Sequence, residues 1–317
     1  MQIGIIGAGM AGLSCAEVLV QAEHGVTLFD KARGPGGRMA TRRMETVQGE
    51  AAFDHGAQYF TVREEAFADV VGGWERTGHA ARWPAAGPEA WVGVPGMNSV
   101  IRKMADRLDV QFGALVTGMD ASRQGWTIHM GPGRAGPFDA LILAIPAEQA
   151  ATLLSLHDFE LARVALRARS QPCWTCMFAF ADRLDSPDAP IRDCGDISWA
   201  VRNRDKPGRS GPESWVVQAQ PQWTHAHLEK PADEVSGLLL GLLGSALGKQ
   251  LPDPIGAAAH RWRFAMSSGT GDEALWNEHT LLGACGDWLI GPRVECAWLS
   301  GRAMADKVLA SHGGADG

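Results

Sequence analysis

Three glycines and one aspartate near the N-terminus form a pattern that binds dinucleotides. Gly7, Gly9 and Gly12 follow the apolar run 3–6 with GxGxxG spacing, and Asp30 follows a second apolar run. In this pattern the first glycine permits a tight turn, the second admits a pyrophosphate, and the third lets the next helix pack on the sheet. The helix N-terminus attracts the anion, and the acid accepts hydrogen bonds from ribose hydroxyls. We therefore predict a dinucleotide cofactor in this segment.

Four arginines are crowded into the loop after Asp30, namely Arg33, Arg38, Arg42 and Arg43. The chain as a whole is acidic, with a formal net charge of -7 over 317 residues. That balance argues against nucleic acid as the main partner, because binding a phosphate backbone needs clustered positive charge. A basic cluster beside a dinucleotide motif instead indicates phosphate contacts. For Arg33 and Arg43 a solvated basic turn is the alternative.

Further polar candidates lie in the second half of the chain. His260 and Arg261 fall on a strand-like run, where a core histidine is the alternative interpretation of the former. A basic loop carries Arg202, Asn203 and Lys206. If the substrate is itself a dinucleotide, this loop could hold its phosphates, whereas solvated structural charges are the competing interpretation.

A metal or hydrolase site has little support. Cys173 and Cys176 form a CxxC, and His225 and His227 form an HxH, so a zinc site can be drawn. Apolar side chains alternate through the CxxC segment, however, and no second CxxC exists, so a buried strand is favoured over zinc or thioredoxin-like chemistry. Neither GxSxG nor HExxH is present.

Hydrophobic periodicity predicts the elements that position these residues. After the first strand, helix and strand, a helix starts near residue 98, and a short apolar run ended by Pro146 is typical of a buried parallel strand. The other predicted elements are a strand pair at Val110–Val116 and Trp126–Met130, helices at 152–169 and 235–247, strands at 173–180 and 214–219, a buried strand at 281–287, and a closing helix at 295–309.

Length and composition set the class of protein. With 45% hydrophobic residues over 317 positions, the chain can form two domains, and these could be interleaved. No basic segment precedes the first apolar run, and the later run Leu238–Leu247 is too short to span a bilayer. Six scattered cysteines are typical of reduced thiols, so we expect a cytoplasmic protein with no membrane partner.

Together these motifs resemble the flavin-binding pattern of the glutathione-reductase and amine-oxidase type flavoproteins. The shared features are the glycine motif, Asp30 with Gly36-Gly37-Arg38, and the late pair Gly286-Asp287 before a helix. Further runs are similar to bacterial renalase-like oxidases, and they are 30–34, 54–60, 91–97, 202–209, 260–262 and 285–288. This similarity covers nearly the whole chain in order.

The resemblance implies non-covalently bound FAD, since Cys285 precedes Gly286 and is in the wrong place for covalent attachment. The glycine motif and Arg38 would hold the pyrophosphate, Asp30 the adenosine ribose, and the main chain of Val116 the adenine. Asp287 would accept a hydrogen bond from the ribityl chain. The implied cofactor-binding set is Gly7, Gly9, Met10, Ala11, Gly12, Asp30, Lys31, Gly37, Arg38, Gln58, Tyr59, Val116, Gly286, Asp287, Val294 and Glu295.

The implied fold is an α/β chain with a Rossmann-like FAD-binding domain and an interleaved α+β substrate domain built on a mixed or antiparallel sheet. We predict that residues 1–70, 90–150 and 276–317 form the FAD-binding domain. Residues 71–89 and 151–275 would then form the substrate domain.

The resemblance also implies an oxidase that takes a hydride from a small-molecule, NAD(P)-derived dihydronicotinamide, in particular its 2- and 6-dihydro isomers. Electrons would pass to O2 and give H2O2. The oxidised product is a pyridinium, so no general base is needed, which suits a chain without an obvious acid–base set. His260, Arg261 and Trp288 are the candidates for the catalytic pocket.

Two alternatives stay open. One is an amine oxidase or desaturase of the same fold that acts on a small hydrophobic molecule. The other is a binding protein without redox chemistry, as in the GDP-dissociation inhibitors. One departure from the renalase-like pattern is the short stretch Trp83 to Trp91, which predicts a more open pocket or a different substrate.

Overall fold

The computed structural model describes residues 1–313, and the chain divides into two compact units. The first unit contains residues 1–37, 101–170 and the segment from 266 onward. The second unit contains residues 38–100 and 171–265. None of the described helices is long and apolar enough to cross a bilayer.

The described residues form eighteen strands. In chain order they are β1 (Gln2–Ile6), β2 (Gly25–Asp30), β3 (Thr41–Thr46), β4 (Gly49–Asp54), β5 (Ala80–Arg82), β6 (Trp91–Gly93), β7 (Asp109–Phe112), β8 (Gly118–Ser122), β9 (Gly125–Met130), β10 (Gly133–Phe138), β11 (Ala140–Leu143), β12 (Ser170–Phe180), β13 (Ile191–Cys194), β14 (Ile197–Arg202), β15 (Glu213–Ala219), β16 (Gly256–Ser267), β17 (Leu275–Asn277) and β18 (Leu282–Ala284).

The α-helices are α1 (Met10–Gln21), α2 (Glu65–Arg76), α3 (Ser99–Ala105), α4 (Ala147–Leu154), α5 (Phe159–Arg167), α6 (Pro221–Ala226), α7 (Ala232–Leu247), α8 (Asp287–Ile290) and α9 (Val294–Gly313). Short 3-10 helices lie at Gly37–Met39, Pro84–Ala86 and Asn203–Asp205.

A six-stranded sheet forms the centre of the first unit, in the order β17-β18-β11-β1-β2-β7. All of its strands run parallel except β17, which is antiparallel to β18. The four residues of β11 are buried and so are four of the five residues of β1, as expected of strands covered on both faces. This is the predicted Rossmann-like architecture.

The two strands predicted as a pair after α3 do not pair with each other. β7 joins the parallel sheet beside β2, whereas β9 lies between β8 and β10 in a separate three-stranded sheet. Periodicity correctly indicates extended chain in both places. It does not specify the partner, because pairing depends on which edge the rest of the fold leaves available.

The helix predicted over 152–169 is two helices, α4 and α5. Asp158 separates them, because its side chain accepts a hydrogen bond from the Leu161 backbone N–H at 3.0 Å and caps α5. The other carboxylate oxygen accepts from Asn277 Nδ2 at 2.6 Å. A capping aspartate therefore starts a new helix within a continuous helical pattern.

A five-stranded sheet forms the second unit, in the order β13-β14-β15-β12-β16, and its first three pairings are antiparallel. Helix α7 packs Val235, Leu239 and Leu243 into a core that includes Trp174 and Phe178. The hairpins β3-β4 and β5-β6 complete this unit.

The units divide at positions that differ from the predicted domain boundaries. Residues 38–70 and 90–100 belong to the second unit, and 151–170 and 266–275 belong to the first. The physical reason is visible in β4, because Asn203 Nδ2 donates to the Ala52 carbonyl oxygen at 2.9 Å and ties that strand to the second unit.

Candidate functional site

Four groups of predicted cofactor residues lie at one edge of the six-stranded sheet. The glycine motif follows β1, Asp30 ends β2, Val116 follows β7, and Gly286-Asp287 follows β18. These strands are parallel, so their carboxyl ends meet at the same edge. Ligands of open α/β sheets bind outside that edge. The structure thus brings together residues that lie far apart in the sequence.

The three glycines of the motif differ in the space around them. A Cβ on Gly7, whose φ is +108°, would lie 2.4 Å from the Ala144 carbonyl oxygen, and a Cβ on Gly12 would lie 2.0 Å from the Gly7 carbonyl oxygen. A Cβ on Gly9 would meet nothing within 4 Å. Gly7 and Gly12 are therefore required by the protein's own packing. Gly9 instead faces free space next to the start of α1, where Met10 and Ala11 begin the helix.

Asp30 has a structural role that the sequence did not indicate. Its Oδ2 accepts a hydrogen bond from the Ala8 backbone N–H at 2.9 Å, and its Oδ1 accepts from the Ala32 backbone N–H at 2.8 Å. The carboxylate therefore fixes the glycine-rich turn to β2. Each carboxylate oxygen can accept a further hydrogen bond, so the expected contact with a ribose hydroxyl remains available.

The late Gly-Asp pair is anchored to the last helix. Ser300 Oγ of α9 accepts a hydrogen bond from the Gly286 backbone N–H at 2.9 Å, and Asp287 begins α8 with 6% of its surface exposed. Helix α9, which starts at Val294 and Glu295, crosses α1 closely, because a Cβ on Gly301 would lie 2.2 Å from the Ala11 carbonyl oxygen.

In the second unit the segment Asp54–Phe60, here called the DHG loop, contains the predicted Gln58 and Tyr59. Gln58 Nε2 donates to the carbonyl oxygens of Asp54 at 2.6 Å and Gly56 at 3.0 Å. A Cβ on Gly56 would lie 2.0 Å from the Arg38 carbonyl oxygen, so only glycine fits there. Gln58 is thus a residue that shapes this loop, which its position in the sequence alone did not reveal.

A buried ion cluster holds the start of the DHG loop. Asp54 Oδ2 lies 3.3 Å from Lys206 Nζ and also accepts from Arg209 Nη2, and all three side chains are at most 2% exposed. Burial raises the pKa of Asp54, but the two cations and the Met97 backbone N–H outweigh it and hold the pKa well below its usual range. Burial lowers the pKa of Lys206 to about 8 against the opposing attraction of Asp54.

Three rings form a second cluster beside that loop. His55 stacks on Trp262 with ring centroids 5.1 Å apart, and it meets His260 edge to face at 5.0 Å. Burial lowers the pKa of His55 to about 4, helped by His260 and Arg42 and opposed by the Phe53 carbonyl and Asp54. Burial and Arg42 also lower the pKa of His260. Both imidazoles are therefore neutral at pH 7.

The depressed pKa of His55 predicts a loss of stability in mild acid. Unfolded chains protonate near pH 6.5 and the folded site near pH 4, so this stabilisation is complete above 6.5 and falls as the pH drops towards 4. The difference between these two pKa values of His55 corresponds to roughly 3 kcal/mol in the free energy of unfolding. The free energy of unfolding in urea should fall less between pH 7 and pH 4.5 for His55→Phe than for the natural chain. The exposed-site control His225→Asn should show the same fall as the natural chain.

Three of the four cations of the basic loop at 202–209 pair with buried or partly buried carboxylates of the protein. Arg202 is 4% exposed, and its guanidinium pairs with Glu213 at 2.8 Å and with Asp205 at 2.9 Å. Lys206 and Arg209 are committed to Asp54 as described above. The predicted phosphate ligands Arg202 and Lys206 are therefore bound by carboxylates, and their charges support the fold of the second unit, whereas Arg204 of the same loop is exposed.

The three predicted catalytic candidates differ in their surroundings. His260 lies on β16 with Trp262, whereas the intervening Arg261 pairs with Glu229 at 2.8 Å and lies over the Trp174 ring. Strand alternation puts it on the opposite face from His260. Trp288 is 1% exposed in the core of the first unit, where Nε1 donates to the Ile145 carbonyl oxygen at 3.1 Å.

The short stretch from Trp83 to Trp91 is closed on itself. Its ends are joined by a hydrogen bond from the Trp83 backbone N–H to the Ala90 carbonyl oxygen at 2.8 Å, and β5 and β6 pair on either side. Trp83 is 4% exposed, and Lys206 Nζ lies 5.3 Å from its ring centroid. The stretch therefore packs as part of the second unit.

Comparison with known families identifies the chain. Residues 79–309 match the family model of flavin containing amine oxidoreductases, and residues 5–74 match that of the NAD(P)-binding Rossmann-like domain. The chain belongs to the flavin-containing amine oxidoreductase family. It is an FAD-dependent oxidoreductase, and this membership favours the enzyme over the non-catalytic alternative.

This amine oxidoreductase family member is also similar to individual proteins. It is 24% identical to renalase of Mus musculus over 300 residues, which cover 82% of this chain and 84% of the relative. Among solved structures, a candidate protoporphyrinogen oxidase from Exiguobacterium sp. 255-15 matches with a TM-score of 0.76, 12% identity and coverage of 97% and 98%. Cyclohexylamine oxidase from Brevibacterium oxydans matches with a TM-score of 0.68, 12% identity and the same coverage. The structural matches establish the shared fold.

The residues at the carboxyl edge of the first unit fit a flavin dinucleotide. Gly9 leaves space where a pyrophosphate would approach, and α1 has no acidic residue in its first turn to repel that anion. Asp30 retains acceptor capacity for a ribose.

The CxxC of the second unit lies within β12, where burial raises the pKa of the Cys173 thiol to about 11 and also raises that of Cys176. Such thiols are poor metal ligands and redox groups.

Proposed function

We propose that this FAD-dependent oxidoreductase is a renalase-type oxidase that takes a hydride from 2- and 6-dihydro isomers of NAD(P) and passes the electrons to O2, giving H2O2. The observation that carries the proposal is the similarity to renalase, which extends over 82% of the chain. The sequence runs that resemble bacterial renalase-like oxidases include the DHG loop and the His260-Arg261-Trp262 segment.

The described residues support this chemistry through binding and electrostatics. FAD, when bound, supplies the two-electron acceptor, and O2 is the terminal acceptor in this proposal. A dihydronicotinamide becomes a pyridinium cation on oxidation, so no proton has to leave the substrate with the hydride. The neutral state of His55 and His260 is compatible with that product, because neither imidazole opposes the new positive charge.

We further propose that FAD is bound non-covalently in a cytoplasmic protein. Cys285, next to the Gly286-Asp287 pair, is fully buried, and burial raises the pKa of its thiol to about 12. A thiol in that state is a poor nucleophile towards a flavin ring. All six cysteines are free, which favours a reducing compartment.

Anaerobic mixing tests the substrate. The holoprotein is mixed in a stopped-flow instrument with 2-dihydro-, 6-dihydro- and ordinary 4-dihydro-NAD(P), and with primary amines such as cyclohexylamine. We expect rapid bleaching of the flavin absorbance by the 2- and 6-dihydro isomers, little by the others, and one H2O2 per substrate once O2 is admitted. Bleaching by amines alone would replace the proposal with amine oxidation, and indifference to every dihydronicotinamide would remove the renalase assignment.

A further inference from the structure

We propose that Ser300 and Trp288 are positioning residues, which hold Asp287 in place for the flavin cofactor. This inference goes beyond the proposed function, because it concerns the cofactor and is independent of the substrate, and it rests on the predicted contact of Asp287 with the ribityl chain. Ser300 lies in α9 and is fully buried, and Trp288 follows Asp287 in α8. Sequence patterns gave Ser300 no role and placed Trp288 among the candidates for the catalytic pocket.

The Ser300 hydroxyl joins three segments of the first unit. Its Oγ accepts a hydrogen bond from the Gly286 backbone N–H at 2.9 Å and donates one to the Glu273 carbonyl oxygen at 2.6 Å. The bond to Gly286 is buried, so loss of the hydroxyl would leave this N–H without its partner and destabilise the present position of the turn. Ser300 therefore fixes the residue that directly precedes Asp287.

The Trp288 indole holds the same turn from the other side of Asp287. Its Nε1 donates to the Ile145 carbonyl oxygen at 3.1 Å, in the segment that follows β11. A Cβ on Gly286 would lie 2.6 Å from both Cδ1 and Nε1 of this indole, so the ring packs directly against that glycine. Since Ser300 also contacts Gly286, the carboxylate of Asp287 is attached to a turn that is fixed at both ends.

Helix α9 connects this turn to the glycine motif. Gly301, the neighbour of Ser300, approaches α1 so closely that a Cβ there would lie 2.2 Å from the Ala11 carbonyl oxygen. One helix therefore contacts the start of α1 through Gly301 and the Gly286 turn through Ser300. The pyrophosphate is predicted at the start of α1 and the ribityl chain at Asp287. Helix α9 thus sets the distance between the two predicted contacts.

A fixed carboxylate suits a chain that carries hydroxyl groups. Hydrogen bonds from hydroxyls to a carboxylate are charge-assisted, and they weaken steeply when distance or direction departs from the optimum. A group that is already in place also loses less conformational entropy when the ligand binds. Loss of the support from Ser300 or Trp288 should therefore weaken the hold on the flavin half of FAD and spare the adenosine diphosphate half.

Binding of FAD and of ADP to the apoprotein tests this inference, because ADP has the adenosine and the two phosphates but lacks the ribityl chain. Fluorescence titration gives the dissociation constant of FAD, and calorimetry gives that of ADP. We expect Ser300→Ala and Trp288→Phe to weaken FAD binding about tenfold, the value of one good hydrogen bond, and to leave ADP binding within about twofold. A residue with only a structural role would not change the ratio of the two constants.

Ser14→Ala is the matched control. Ser14 lies in α1 and is also fully buried, and its Oγ donates to the Trp298 carbonyl oxygen of α9 at 2.8 Å. Losing this bond should lower the thermal midpoint about as much as Ser300→Ala does, but the ratio of FAD to ADP affinity should stay that of the natural chain. Hydrogen-exchange mass spectrometry of the holoprotein should show faster exchange over residues 282–290 in Ser300→Ala and unchanged exchange there in Ser14→Ala.

Asp287→Ala separates this inference from the prediction on which it rests. That variant should weaken FAD binding about tenfold to a hundredfold and leave ADP binding nearly unchanged, because a charged acceptor is lost. If it does so while Ser300→Ala and Trp288→Phe keep the natural ratio, the positioning role is wrong and the ribityl contact stands. Full FAD affinity in Asp287→Ala overturns both. The proposed substrate is unaffected by either result, since the anaerobic mixing experiment tests it on the natural holoprotein.

Discussion

Replacing Asp54 with Asn should lower the free energy of unfolding by about 3–5 kcal/mol, the usual effect of removing one partner from a buried ion pair. Asp54 is 0% exposed, and the change leaves Lys206 and Arg209 buried without their counter-charge. The hydrogen bonds that Oδ1 accepts from the Met97 backbone N–H and Thr41 Oγ1, at 2.9 and 2.8 Å, would also be weakened. Urea unfolding at pH 7 measures the change.

Two controls determine whether burial is the cause. Lys230→Met removes an exposed ion pair with Glu234 on α7 and should cost less than about 1 kcal/mol. The double variant Asp54→Asn with Lys206→Met should be more stable than Asp54→Asn alone, because one unpaired buried cation has been removed. An Asp54→Asn variant as stable as Lys230→Met would show that the cluster is not a significant source of stability.

Replacing Gly9 with Ala should reduce FAD affinity on the order of a hundredfold and leave the apoprotein's thermal midpoint unchanged. The new Cβ meets no protein atom within 4 Å, and the φ of -84° suits alanine, but the methyl group would occupy the space that a pyrophosphate needs. Losing backbone hydrogen bonds to a charged group gives a loss of this size. Fluorescence titration of the apoprotein with FAD measures the affinity.

Gly12→Ala is the matched contrast. Its Cβ would lie 2.0 Å from the Gly7 carbonyl oxygen, so α1 would have to shift, and we expect destabilisation of about 2 kcal/mol or more together with flavin loss. Gly237→Ala, on α7 with no atom within 4 Å of the new Cβ, should lower neither the stability of the protein nor its affinity for FAD. Full flavin affinity in Gly9→Ala would argue against a pyrophosphate at the glycine motif.

The sheet edge that carries the predicted cofactor residues is where sequence reasoning and the observed fold agree most closely. The glycine motif lies between β1 and α1, Asp30 ends β2, and the Gly286-Asp287 pair follows β18, each at the carboxyl end of a parallel strand. The sequence could specify them because each depends on its immediate neighbours. Whether these residues bind FAD through those atoms remains a prediction for the titrations above.

The second unit was harder to anticipate. Asp54 and Lys206 are 152 residues apart. Sequence patterns gave Asp54 no role, and for Lys206 they left open a ligand phosphate and a solvated structural charge. The limits of the two compact units near residue 38 and residue 171 likewise depend on contacts between distant segments, such as the hydrogen bond of Asn203 with Ala52. A charged side chain in a polar loop has the same sequence signature whether solvent or a buried carboxylate neutralises it.

By itself, then, the sequence determined the glycine-rich turn, the first strand, helix and strand of the first unit, and the family. Steric limits at glycine and the period of apolar residues act over a few positions, so they can be read from local sequence. Only the tertiary structure decided that His55 joins His260 and that the side chains of Arg202, Lys206 and Arg209 are buried against carboxylates. Strand register and long-range packing fix those contacts, and no short segment contains them.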